Sequence, residues 1–100
     1  MDVTKKQNGS ELLLELSGSI DSVTSPKFNE VIEQSIKEIN SLILDFKKID
    51  YISSAGLRVL LATFMTLSGK GGNMIIRHPN QNVMDIFTMT GFDNILTIEQ

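Results

Sequence analysis

Leu42-Ile43-Leu44-Asp45-Phe46 is a short apolar run interrupted by one aspartate. A run of this length reads as a strand buried on both faces, and such strands sit inside parallel sheets covered by helices. Upstream, Thr24-Ser25-Pro26 supplies capping hydroxyls and then a proline at a first helical position, where its missing N–H costs nothing. Phe28, Val31, Ile32, Ser35, Ile36 and Ile39 follow at steps of three and four, with Lys27, Glu30, Glu33, Gln34 and Lys37 on the wet side. Downstream, Leu57, Leu60, Leu61, Phe64 and Leu67 make the buried stripe of a second helix, closed by Gly69, Gly71 and Gly72, which accept positive φ. The strand therefore lies between two helices, and the fold class is α/β.

Working outward, Asp2 to Gln7 reads as a strand, Asn8-Gly9 as a hairpin turn, and Leu12 to Leu16, flanked by Gly9 and Gly18, as its antiparallel partner. Toward the C-terminus, Asn73 to Arg77 reads as a strand. Pro79-Asn80-Gln81 opens a third helix with Val83, Ile86 and Phe87 inward, Gly91 stops it, and Ile95 to Ile98 closes the sheet. The alternation of strand and helix predicts a largely parallel sheet with right-handed crossovers, made mixed by the N-terminal hairpin. No linker, repeat or low-complexity tract divides residues 1–100, so a single domain is expected.

The chain has 41% hydrophobic residues, enough for a core, and a net charge of −3 with nine scattered lysines and arginines. That balance argues against a nucleic-acid surface, which needs clustered cations. There is no cysteine, hence no disulfide framework and no thiolate metal site. No apolar run approaches the roughly 20 residues of a membrane span, and Met1-Asp2-Val3-Thr4-Lys5-Lys6 lacks a signal-peptide core. A cytoplasmic protein without membrane contact is expected.

Function is sought in Asp50-Tyr51-Ile52-Ser53-Ser54-Ala55-Gly56-Leu57-Arg58, the small polar stretch between the apolar strand and the second helix. Sites in such sheets gather at the carboxyl ends of strands, and this turn follows one. Nucleophilic catalysis by a serine needs a base, yet the only histidine is His78, in a loop before Pro79, and the G-x-S-x-G elbow is missing. Gly69-Lys70-Gly71-Gly72 fails as a phosphate loop, since Phe64 occupies the first glycine's place and no Ser or Thr follows the lysine. Asp45, Asp50, Asp85 and Asp93 are too dispersed for a calcium loop, and one histidine makes no zinc site. Met65, Met84 and Met89 read as fillers. The expectation is a binding protein rather than an enzyme, with no cofactor and no metal.

Ile52-Ser53-Ser54-Ala55-Gly56-Leu57-Arg58 after a buried strand resembles the signature of the STAS domain, the fold of bacterial anti-sigma factor antagonists. Gly18-Ser19-Ile20-Asp21-Ser22-Val23-Thr24-Ser25-Pro26 resembles that family's approach to its first helix, and the order of elements agrees over nearly the whole chain. The resemblance implies a serine phosphorylated by a partner kinase, and Ser54 falls at that position. Ser53 stands where the family carries an aspartate, which leaves Ser53 as the alternative acceptor, and Ala55 stands where many members have a second Ser or Thr. Many members also add a last helix beyond the position of Gln100.

The implied partners are an anti-sigma factor that is also a serine kinase, and a serine phosphatase that resets the switch. The implied contact positions are Asp21, Thr24, Ser53, Ala55, Gly56, Leu57 and Arg58. Gly56 gives access or a tight junction, Arg58 is a solvated or phosphate-pairing cation, and Asp21 is a contact or a turn carboxylate. Phosphorylation adds about −1.5 to −2 charges. Its own helix tolerates that charge, whereas an interface that must desolvate it does not. The alternative is a constitutive STAS scaffold in a transport or signalling assembly, with no phospho-switch.

Overall fold

In the computed structural model, which describes residues 1–100, Gly9 takes φ +63° and the chain reverses through Gly9-Ser10, leaving Asn8 opposite Glu11. The two strands so joined are β1 (Asp2–Asn8) and β2 (Glu11–Ile20). They are followed by α1 (Ser25–Glu33), β3 (Ser41–Ile52), α2 (Ser54–Gly69), β4 (Asn73–Arg77), α3 (Gln81–Thr90), a 3-10 turn at Phe92–Asn94 and β5 (Thr97–Glu99). The five strands stand in sequence order, β1 antiparallel to β2 and all other neighbours parallel, which is the mixed α/β sheet the sequence predicts.

Register explains the core. Leu12, Leu42 and Met74 align across three strands, as do Leu14, Leu44 and Ile76, and all six join one buried cluster with Phe28, Ile32, Leu57, Leu60, Leu67, Val83 and Phe87 from the helices. Strands in sequence order with right-handed crossovers put the connecting helices on this one face. The opposite face alternates. Leu13, Ile43 and Ile75 share a row, and the next row is Glu15, Asp45 and Arg77. The strand expected to be buried on both faces is thus fully covered on one, with Asp45 only half-buried on the other.

β3 does not stop at Phe46. It continues to Ile52, paired with β2 through two register shifts, while β4 accompanies it only as far as Asp45 opposite Arg77. The space beside the overhang is filled by α3: the Phe46 and Phe87 rings lie 6.3 Å apart, and Asn80 works in two directions. Its Oδ1 accepts from Val83 N at 2.8 Å, capping α3, and its Nδ2 donates to the Ile49 carbonyl at 3.0 Å. Losing a cap and a hydrogen bond together costs about 2 kcal/mol. Asn80→Ala should show that loss in urea unfolding, and Asn80→Asp, which keeps the cap but not the donor, should fall between it and the parent.

Other element ends also differ from the sequence expectation, and β2, expected over Leu12 to Leu16, runs on to Ile20. Helix α1 ends at Glu33, although Ser35, Ile36 and Ile39 remain buried, because Ser35 N to Ile32 O and Glu38 N to Ser35 O tighten the chain into turns. The last strand begins at Thr97 instead of Ile95, because the amides of Ile95 and Leu96 donate to the Phe92 carbonyl and hold both residues in a turn. Of the glycines expected to stop α2, Gly69 is helical, Gly71 takes φ +76°, and Gly72 serves close approach: a Cβ there would stand 2.3 Å from the Asn40 carbonyl oxygen. Lys70 Nζ also donates to the Ile36 carbonyl, tying the end of α2 to the segment after α1. No helix is long and apolar enough to cross a membrane.

Candidate functional site

The site is built where β3 ends. Ser53 leaves the strand with φ −91° and ψ 175°, the extended geometry of an N-cap, and its Oγ accepts from Gly56 N at 3.3 Å. Ser54 is therefore the first residue of α2, with its side chain exposed and making no hydrogen bond within the protein. Ala55 is half-buried, Gly56 and Leu57 are buried, and Arg58 is exposed. Gly56 is a tight junction: a Cβ would meet Ile52 Cγ1 at 2.7 Å and Ile20 Cγ2 at 2.8 Å. The missing side chain lets the first turn of α2 rest directly on the ends of β2 and β3, which leaves Ser54 displayed at a strand-supported corner.

The second wall is the turn from β2 to α1, joined to the first by Ser53 N donating to the Ile20 carbonyl at 2.8 Å. Asp21 Oδ1 accepts from the amides of Val23 and Thr24, each at 2.9 Å, closing an Asx turn. Thr24 Oγ1 accepts from Asp21 N at 2.9 Å and donates to the Ser19 carbonyl at 2.7 Å. This corrects the expectation for Thr24. It occupies the N-cap position of α1 but makes no side-chain cap bond, because its hydroxyl is engaged backward in the turn. Ser25 is buried behind it. Val23 projects from the turn, 82% exposed.

The backbone N–H of Thr24, then that of Val23, stabilises the ionised Asp21 carboxyl and holds its pKa below the usual carboxylate value. A depressed carboxylate contributes stability that is present above its unfolded pKa of about 3.9 and is lost as pH falls through the lower folded value. Asp21→Asn, which can still accept both amides, should therefore melt below the parent at pH 7, and the two melting curves should converge below about pH 4. A gap that persists unchanged at low pH would mean that the charge is not what matters.

The other candidates stay apart from this corner. His78 follows β4 with φ +59°, its amide donating to the Glu99 carbonyl at 2.8 Å and its Nδ1 3.5 Å from Asp45 Oδ1, so it is partnered by a carboxylate and by neither serine. A shallow groove of about 400 Å³ lies beside it, bordered by Asp2, Glu15, Lys47 and Lys48, and contains none of the residues of the serine turn. The structure thus brings together Asp21, Thr24, Ser53, Ser54, Ala55, Gly56, Leu57 and Arg58 on two linked junctions. The sequence reading missed Ile20, whose carbonyl joins the two walls by accepting from Ser53 N, and Ser19, whose carbonyl accepts from Thr24 Oγ1 inside the second wall. The Asp-x-x-Thr spacing of Asp21 and Thr24 was the available sign.

Comparison with known proteins places the fold and the family. The STAS domain family matches residues 2–100. The chain is 26% identical over 98 residues to the anti-sigma-B factor antagonist of Bacillus subtilis (strain 168), covering 98% of this chain and 90% of that protein. Among solved structures, an anti-sigma factor antagonist from Mycobacterium paratuberculosis superposes with a TM-score of 0.88 at 22% identity, over 98% of this chain and 84% of that one. The anti-sigma factor antagonist SpoIIAA in its unphosphorylated form gives 0.86 at 17% identity, over 99% and 89%. Its phosphorylated form gives 0.78 at 16%, over 99% and 92%. With the mixed sheet, the strand-to-helix serine corner and a family match over almost every residue, the chain belongs to the STAS domain family.

Proposed function

We propose that this protein is an anti-sigma factor antagonist, a binding module whose unphosphorylated form holds an anti-sigma factor with serine kinase activity and whose phosphorylated form lets it go. The observation that carries the reading is the division of labour between the two serines. The Ser53 hydroxyl is engaged by Gly56 N as the cap of α2, while the Ser54 hydroxyl is exposed and free of any bond within the chain. Ser54 is thus the acceptor. The Ser54 oxygen attacks the γ-phosphorus of ATP, the bond to the β-phosphate oxygen breaks, ADP leaves, and the kinase takes the hydroxyl proton. A serine phosphatase reverses the change by hydrolysis.

The corner suits a reversible contact. Residues 53–57 carry no charge, and the first turn of α2 contains no acidic residue, so a partner can approach without meeting a like charge. A dianion at Ser54 changes the interface while its own helix start accommodates it. Incubation with the anti-sigma kinase and ATP should yield a singly phosphorylated protein with the label on the Ser54 peptide. Label confined to Ser53 would reverse the assignment of cap and acceptor. Partner binding indifferent to every change at Ser54 would favour a constitutive scaffold.

A further inference from the structure

Arg58 is the one charged side chain among the sixteen residues of α2, and the folded protein gives it nothing to do. It is exposed and enters no ion pair or hydrogen bond, which is also true of the side chains of Lys5, Lys37, Lys47 and Lys48, but Arg58 alone of these lies on the helix that Ser54 begins. It also stands near the positive end of the helix dipole, where a cation gains nothing. It lies four residues after Ser54, and residues so spaced share a helix face with their Cβ atoms about 5–6 Å apart. Helical side chains lean toward the N-terminus, so an arginine at this position reaches back over Ser54, and an anion four residues before a cation is the favourable order.

We propose that Arg58 is the intramolecular partner of phosphorylated Ser54, its guanidinium N–H groups donating to the phosphate oxygens in a forked pair. The inference rests on Ser54 as the acceptor. It assigns Arg58 to the modified state of this chain instead of to the partner surface. The other charges on the elements that meet here are Glu11 and Glu15 on β2, Asp21 in the turn, Lys27, Glu30 and Glu33 on α1, and Asp45, Lys47, Lys48 and Asp50 on β3; of the cations, Lys47 and Lys48 border the separate groove and Lys27 Nζ donates to the Met1 carbonyl. Arg58 is the cation carried by the helix that Ser54 begins, one turn away from it. Its pairing raises the dianionic fraction of the phosphate near pH 7, where free phosphoserine, with a second pKa of about 6, is still partly monoanionic.

The test needs no partner protein. Phosphoserine is encoded directly at position 54 in the full chain and its second ionisation is followed by phosphorus NMR. The midpoint should lie about 0.2–0.4 pH unit lower than in the same protein carrying Arg58→Gln, a shift of the size expected for a helical ion pair. Arg58→Lys should restore part of it, and 1 M NaCl should shrink the difference. Coincident midpoints for the parent and Arg58→Gln would overturn the pairing. So would an equal shift from Lys5→Gln on β1, which would show only the loss of a general positive charge. If a kinase leaves Ser54 unmodified, the switch reading fails while this pairing is still measured.

Discussion

Ser54→Asp should lower the affinity for the anti-sigma partner about 100-fold, a loss of roughly 2.7 kcal/mol, while Ser54→Ala stays bound at close to parental affinity. The sign follows from the corner. Ser54 makes no hydrogen bond that alanine would forfeit, so Ser54→Ala leaves a small neutral surface. Aspartate places a carboxylate at the first position of α2, where the fold gains about 0.3–1 kcal/mol from the dipole and the caps remain intact. The penalty falls on the complex, because burying an unpaired charge against a partner costs more than that gain. Titration calorimetry on the two variants, with thermal melts alongside, separates these effects. Equal affinities for the two variants would remove the electrostatic basis of the switch, and a lowered melting temperature for Ser54→Asp would mean that the helix start does not tolerate the charge.

Gly72→Ala should be the most damaging single-methyl change in the chain, costing about 3 kcal/mol or more out of the 5–15 that usually hold such a domain together. Its Cβ would lie 2.3 Å from the Asn40 carbonyl oxygen and 3.2 Å from that of Leu67, and neither can swing aside as a side chain would. The Asn40 carbonyl accepts from Asn73 N at 2.8 Å, and Gly72 N itself donates to Leu67 O at 2.7 Å, so relief requires moving the start of β4 against β3. Gly69→Ala three residues earlier is the natural control. It meets nothing within 4 Å and lies in helical backbone, so it should stabilise by about 0.5–1 kcal/mol. Urea midpoints of the two variants should move in opposite directions, and a similar small shift for both would show that the junction yields.

Local patterns made most of the fold legible. The parity of Leu12, Leu14, Leu42 and Leu44 and the spacing of Phe28, Ile32, Leu60 and Leu67 are properties of single elements, and the core is assembled from them. The errors lie where one element is finished by another. β3 looked complete at Phe46 because Lys47 and Lys48 break the apolar run, yet β2 still pairs with its tail and α3 covers Ile49. Thr24 looked like a cap because Pro26 follows it, but Ser19 and Asp21 claim its hydroxyl across the turn. At the serine corner, the small residues announced a tight junction. That Gly56 meets both Ile20 and Ile52 depends on how β2 and β3 end side by side, which no single stretch encodes.

The β3 overhang also bears on the order in which the molecule becomes competent. The tail of β3 that leads to Ser53 is held by Asn80 at Ile49 and by Phe87 at Phe46, so a ribosome that has released residues 52–58 has not yet released these two side chains. Domains emerge from the N-terminus at about 5–20 residues per second, which leaves an interval of a few seconds in which the serine exists without its finished foundation. The strand end that leads into Ser53 therefore gains its α3 contacts late, only after α3 has been synthesised.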